Sequence, residues 1–317
     1  MTQHEAQEIT IELLKTMPLP DYSEDADKAD RGKLLIIAGS QRLPGAAILA
    51  ARAALRVGCG TVRVAAPASV AIHIGVAVPE LMVLPLPETP AGTLARGALP
   101  LLKEQYAACR ATVIGPGLDE HPETAQMVRE MIAKVPLPMV VDAHALTAWG
   151  EKGEGAPSER SKSAGARIFT PHENELSALL GTDFSKLEVS REEFAPTFAG
   201  KESAVLVLKG RDTLIASPGG ELYRNKAGSR ALGTAGSGDV LAGVIGSLLA
   251  QNMEAAHAAV WGVHMHALAG EAVSEDLGED GVMSRDLVDR LPLVVRYLRR
   301  QTMPKKDGPR PGLRRVS

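Results

Sequence analysis

The chain reads as a doubly wound α/β protein, with a mostly parallel sheet covered by helices on both faces. Short aliphatic runs, each closed by glycine or a small polar residue, alternate with longer stretches of helical periodicity, which is the rhythm of βαβ units. The shorter runs are continuous rather than alternating, as in strands buried on both faces. Hydrophobic residues make up 45% of the 317 positions and aromatic residues only 3%, so Ala, Val and Leu carry the core and favour helices packed on aliphatic strands. Right-handed crossovers then wind the sheet in both directions.

Taken in order, residues 1–30 read as an N-terminal helical arm. Ile9, Leu13, Leu14 and Met17 give a weak helical pattern over 8–17 that Pro18 and Pro20 stop, and an acidic stretch follows. No basic-then-apolar export signal is visible there. The main domain, 31–302, carries predicted strands at 34–38, 61–65, 81–84, 112–114, 139–141, 167–169 and 205–208. Helices are expected at 46–57, 124–134, 173–180, 240–251 and 255–273. Residues 213–216 and 221–224, joined by Ser217-Pro-Gly-Gly220, read as an appended β-hairpin. The segment 151–166, rich in Gly, Ser and charge, is expected to be loose, and 303–317 to be a disordered basic tail.

A formal net charge of -3 supplies no field to draw the protein to nucleic acid or an anionic membrane, so phosphate binding must be local and a small ligand is favoured. No run approaches the roughly 18 apolar residues of a membrane span. Cys59 and Cys109 lie far apart without metal-ligand spacing; they are expected to be buried thiols in a reducing cytoplasm.

The strongest chemical signal is Gly233-Thr-Ala-Gly-Ser-Gly-Asp239, opening directly onto a helix whose stripe is Val240, Leu241, Val244, Ile245, Leu248 and Leu249. Unpaired amides and the helix dipole make an anion site, with Gly236, Ser237 and Gly238 as the phosphate loop. A carboxylate beside phosphate is repulsive, and catalysis explains Asp239: it would take the proton of an acceptor hydroxyl while the loop stabilises the transferred phosphoryl group. The competing role is a simple N-cap. The motif is neither a P-loop nor a dinucleotide fingerprint.

Four further places end predicted strands. Thr170-Pro-His-Glu-Asn-Glu175 follows 167–169 and puts His172 and Glu175 on one helix face; His172 would donate to substrate and Glu175 would organise magnesium through water, with Thr170 and Glu173 expected to cap the turn. Gly115-Pro-Gly117 and Asp142 close two neighbouring strands, where doubly wound folds bind ligands, although turn formation and sheet-end capping are open alternatives. Lys209 and Gly210 follow 205–208, Lys209 as a phosphate or adenine-edge contact. His264 and His266, two apart on a helix, are expected to be packing or surface residues rather than a metal pair.

In order and spacing, GKLLIIAGS, PGAAILAARAALRVGCGTV, PELMV, VIGPGL, VVDAHAL, FTPHENEL, VLKGRDT and GTAGSGDVLAG resemble the ADP/ATP-dependent NAD(P)H-hydrate dehydratases of the ribokinase-like superfamily. The resemblance runs from about Gly32 to Leu291. It implies phosphorylation of the ring hydroxyl of the S epimer of hydrated NADH or NADPH by ADP or ATP with Mg2+, followed by elimination that restores the reduced nicotinamide. Ala46, Gly117, His172 and Asp239 would contact the hydrated dinucleotide, and Lys209, Gly210, Arg211, Asp212, Thr213 and Gly238 the adenine nucleotide. It further implies a homo-oligomer, with a tetramer as one form, and a separate NAD(P)H-hydrate epimerase as functional partner. The chain departs from the family pattern at Ala143-His144, at Glu173-Asn174 and at 227–230. Two alternatives stay open: a kinase of the same fold acting on hydroxyethylthiazole or hydroxymethylpyrimidine, and a nucleotide-binding regulator without turnover.

Overall fold

The N-terminal segment joins the sheet instead of standing off it. In the computed structural model, which describes residues 5–23, 25–150, 163–186 and 189–303, Gln7–Glu8 is an edge strand (β1) and Ile11–Lys15 a brief helix (α1). The helix expected over 8–17 is shortened from both ends. Thr10 caps α1, its hydroxyl accepting from the Leu13 amide at 3.2 Å, and a capping residue is extended rather than helical. Ile9 then donates its amide to the Arg224 carbonyl at 2.9 Å, continuing the edge pairing. Ile9, Leu14, Met17 and Leu19 are buried in the main core, where the Trp261 indole donates to the Met17 carbonyl at 2.6 Å.

Strand and helix then alternate through β2 (Lys33–Ile37), α2 (Pro44–Arg56), β3 (Thr61–Pro67), α3 (Ala68–Ala77), β4 (Met82–Leu86) and α4 (Leu99–Tyr106). The pattern continues with β5 (Ala111–Ile114), α5 (Pro122–Lys134), β6 (Met139–Val141), α6 (His144–Gly150), β7 (Arg167–Phe169), α7 (Glu173–Leu180) and α8 (Arg191–Glu202). The remainder is β8 (Val205–Leu208), β9 (Thr213–Ala216), β10 (Leu222–Asn225), α9 (Ser237–Ala250), α10 (Ala255–Leu277) and α11 (Ser284–Thr302). All strands expected from the sequence form, none displaced by more than about two residues. Most of 151–166, and all of 303–317 except Met303, lie outside the described residues.

The sheet order is β1-β10-β9-β8-β7-β6-β5-β2-β3-β4. Every pairing is parallel except those of β9, which runs antiparallel to both β8 and β10 and makes the appended hairpin. Winding reverses between β5 and β2, so a crevice opens there beyond the carboxyl ends of the strands. Alternate residues of β2 feed the two layers. Leu34 and Ile36 join the cluster that includes residues of α1, α2, α9, α10 and α11, while Leu35 and Ile37 join the one containing residues of α4 to α8.

One buried cation ties the α5 layer to the sheet. Arg167, at the start of β7, has no exposed surface and donates to the carbonyls of Ile132 (2.9 Å), Val135 (2.7 Å), Leu137 (3.0 Å) and Gly165 (2.7 Å). Helix C-terminal carbonyls lack intrahelical partners and favour a positive charge. Arg167→Met is therefore expected to cost about 2–4 kcal/mol, seen as a lower midpoint of urea unfolding at an unchanged m-value.

Candidate active site

The carboxyl ends of β2, β5, β6, β7 and β8 all turn toward the start of α9. After β5, Gly117 takes a left-handed conformation (φ 64°), and a Cβ there would lie 2.5 Å from the Leu43 carbonyl oxygen and 2.7 Å from the Ala46 Cβ. Gly117 and Ala46, singled out as substrate contacts, thus meet at the reversal between β5 and β2. Leu49, one turn further along α2, packs where a Cβ on Gly236 would sit, 2.5 Å away. Gly236 is the left-handed N-cap of α9 (φ 87°), so only glycine suits both the dihedral and the contact. The strand-end crevice and the phosphate loop are joined through α2.

Helix α9 starts at Ser237, and its first recurring bond runs from the Val240 amide to the Gly236 carbonyl at 3.2 Å. The amides of Gly238 and Asp239 precede that bond and lie in the turn where helices accept anions. Ser284 donates its hydroxyl to the Ala235 carbonyl at 2.7 Å and anchors the loop from outside. Asp239 is the third residue of the helix, on the first turn as the sequence suggested.

A charge cluster surrounds it. Lys209 lies 3.2 Å from the Asp142 carboxylate and 3.2 Å from that of Glu175. Burial alone would pull the Lys209 ammonium down, but the two carboxylates outweigh it and hold its pKa above the ordinary lysine value. Asp142 is 2% exposed and also accepts from the Thr170 hydroxyl at 2.7 Å. Burial, reinforced by the Asp142 charge and less strongly by Glu175, pushes the Asp239 carboxyl up to about 7, with Lys209 opposing. A half-buried carboxyl poised near neutrality suits a general base.

The capping expected of Thr170 and Glu173 is corrected. Thr170 bonds back to β6, and the first turn of α7 is closed reciprocally by His172 and Glu175: the His172 amide donates to Glu175 at 2.8 Å and the Glu175 amide to His172 Nδ1 at 3.1 Å. The chain is still extended at Thr170, so the cap falls two residues later. Glu175 therefore serves the cap and Lys209 together.

A cavity of ≈ 1030 Å³ opens on the hairpin side of α9. Lys209, Gly210, Arg211, Thr213, Ser237 and Gly238 line it, together with His172. Asp212 is not among its lining residues; its carbonyl accepts from Arg191, which also donates to the carbonyls of Leu208 and Lys209 at 2.9 and 3.1 Å and so braces the loop after β8. Ala46, Gly117 and Asp239 are absent from that lining. Asp239 follows Gly238, which lines this cavity, and Gly236, which packs on α2 one turn from the Ala46/Gly117 contact.

Sequence reasoning missed several participants. His264 and His266 are both 8% exposed, so neither is a surface residue. The Asn225 amide group donates to the Ala227 carbonyl at 2.8 Å, which turns its oxygen toward His264 Nδ1 at 2.9 Å and makes that ring nitrogen the donor. His266 meets Ser237 and lines the cavity. The wall from Ala227 to Thr234 had a visible sign, since it includes the departure at 227–230; Arg191 had none. Cys59 and Cys109 are free and buried, and among the described residues no helix is long and apolar enough to cross a membrane.

Against known proteins, the family model for NAD(P)H-hydrate dehydratases matches residues 34–293. The chain is 37% identical, over 95% of its length and 100% of the relative, to an ADP-dependent (S)-NAD(P)H-hydrate dehydratase of Xanthomonas campestris pv. campestris. It is 40% identical to a bifunctional NAD(P)H-hydrate repair enzyme Nnr of Moorella thermoacetica, covering 88% of this chain but only 52% of that one; it thus spans about half the length of such bifunctional relatives. The ADP/ATP-dependent NAD(P)H-hydrate dehydratase of Bacillus subtilis, crystallised with ATP/Mg2+, superposes with a TM-score of 0.77 at 29% identity, over 92% of this chain and 99% of that chain. A ribokinase-like superfamily protein from Enterococcus faecalis V583, at 22% identity, has the same fold (TM-score 0.76, 94% and 97% covered). With its glycine loop, its half-buried Asp239 and its match across most of the domain, the chain belongs to the NAD(P)H-hydrate dehydratase family.

Proposed function

We propose that the chain dehydrates the S epimer of hydrated NADH and NADPH, using ADP or ATP as phosphoryl donor. The carrying observation is the placement of Asp239 on the first turn of α9, between a strand-end crevice and a cavity that shares its phosphate loop, with its carboxyl held at about 7. The hydrated nicotinamide occupies the Ala46/Gly117 side and the adenine nucleotide the Lys209 to Thr213 side. Asp239 takes the proton of the ring hydroxyl as that oxygen bonds to the terminal phosphorus and the bond to the departing nucleotide breaks. Amides in the first turn of α9, those of Gly238 and Asp239, stabilise the equatorial oxygens, while the Ser237 amide is held by the Thr234 carbonyl at 3.2 Å and shapes the loop. Loss of phosphate and of a neighbouring ring proton then restores the reduced nicotinamide.

Magnesium fits as an ion carried mainly by the nucleotide. Among the described residues no group of three or more His, Cys, Asp or Glu is arranged to hold a metal, and Mg2+ ordinarily takes phosphate oxygens, waters and one or two carboxylates. Glu175, through water, would be its protein contact, and the ion would neutralise charge on the transferred group. A cytoplasmic setting, a homo-oligomeric state and a separate epimerase acting on the other epimer complete the reading.

The test mixes purified protein with hydrated NADH or NADPH, Mg2+ and ADP or ATP, and follows recovery of reduced-nicotinamide absorbance. Activity is expected to rise with pH through about 7, as Asp239 ionises. No recovery with either nucleotide sinks the proposal; a stable phosphorylated product would make the protein a kinase.

A further inference from the structure

We propose that His266 is a positioning residue: its Nε2–H donates to the Ser237 hydroxyl oxygen, leaving that hydroxyl's own hydrogen for a phosphate oxygen of the bound nucleotide. The inference rests on reading the ≈ 1030 Å³ cavity as the nucleotide site.

The two atoms are 3.0 Å apart, and both residues line the cavity. Ser237 is the first residue of α9, so its side chain belongs to the turn that would receive the phosphates. His266 projects from α10, a separate helix, so the bond is a tertiary brace on the loop. Burial first, with the Lys209 charge adding to it, depresses the ring to about 4 despite an opposing hydrogen bond to the Ser237 backbone. The imidazole is therefore neutral at physiological pH and carries one N–H.

A neutral ring leaves two arrangements. If Nε2 accepts, the serine hydrogen is spent on the histidine and the hydroxyl turns only lone pairs to the cavity, which repel phosphate. If Nε2 donates, the hydroxyl hydrogen is free to point the other way. The glycine loop and the helix terminus set up a field that favours anions, and an anion there selects the second arrangement. His264 makes a useful contrast: two residues away on α10, it is committed to Asn225 rather than to the phosphate loop.

The experiment titrates wild type, Ser237→Ala, His266→Ala and the double variant with ADP in Mg2+, and separately with adenosine, by calorimetry. Each single change is expected to weaken ADP about tenfold, the worth of one hydrogen bond to a charged group. The double variant should bind ADP no more weakly than Ser237→Ala, because His266 acts through Ser237. Adenosine, lacking phosphate, should bind all four within about twofold, and His266→Gln, which keeps a donor near Nε2, should restore most of the ADP affinity. Losses that multiply in the double variant, or adenosine weakened as much as ADP, overturn the proposal. If His266→Ala does not fold, nitrogen NMR of the histidines in the wild-type ADP complex decides: a protonated Nε2 on His266 is expected, and an unprotonated one overturns it. Failure of wild type to bind ADP would be a different result, removing the nucleotide reading itself.

Discussion

Asp239→Asn is expected to lower kcat by about 10²–10⁴-fold, with little change in ADP affinity, and at the same time to make the protein more stable. The activity loss follows from chemistry: an amide has no basic oxygen able to take the proton of the attacking hydroxyl, while the loop amides that hold phosphate are untouched. The stability gain follows from burial. Asp239 has its carboxyl raised from 3.8 to about 7, so between those values the native state holds a proton that the unfolded chain releases. Stability of the wild type must then fall as pH rises from about 4 to about 7 and level off above it. Asparagine removes that slope. At pH 8 the variant should gain about 2 kcal/mol, less than the ~4 kcal/mol of a fully dry site, because Asp239 keeps some contact with solvent. Thermal unfolding of both proteins at pH 4 and pH 8 checks it: the two curves should separate at pH 8 and nearly converge at pH 4. A destabilised variant would mean that Asp239 is chiefly a helix cap.

The sheet was legible because its signal is local. Leu34 to Ile37 announce a strand buried on both faces whatever packs on them, and the glycines of 233–238 announce a turn onto a helix wherever that helix lies. β1 was not legible: Gln7 and Glu8 are exposed and have no strand character of their own, and they are extended because the outer edge of β10 is there to pair with. The site divides in the same way. Asp239, Gly117 and Lys209 stand at strand or helix ends that the pattern locates directly. The environment of Lys209 was hidden, since Asp142 approaches it from the end of β6 and Glu175 from the first turn of α7. His266 was set aside because spacing along one helix says nothing about a serine 29 residues away.

Lys209→Met should separate the two roles open to that lysine. If Lys209 serves chiefly as a phosphate contact, the variant loses ADP affinity and folds as before. The geometry argues for a larger consequence. Lys209 sits 3.2 Å from both Asp142 and Glu175, and its charge also holds down the carboxyl of Asp239. Removing it leaves carboxylates clustered without their cation, which is expected to cost about 3–5 kcal/mol at neutral pH. The pH dependence gives the cause away. In the wild type the raised Lys209 pKa contributes stability that is constant below the ordinary lysine value and is lost only in strong alkali. In the variant the Asp239 carboxyl, already raised, loses the cation that opposes the rise, so the loss of stability should be smallest near pH 4 and grow toward pH 8. The acid limb of kcat should move above 7 in step, since Asp239 loses the one neighbour that favours its ionised form. Urea unfolding across that pH range, with the rate profile measured on the same samples, distinguishes this from a lost ligand contact, which would weaken ADP binding and leave both slopes where they were.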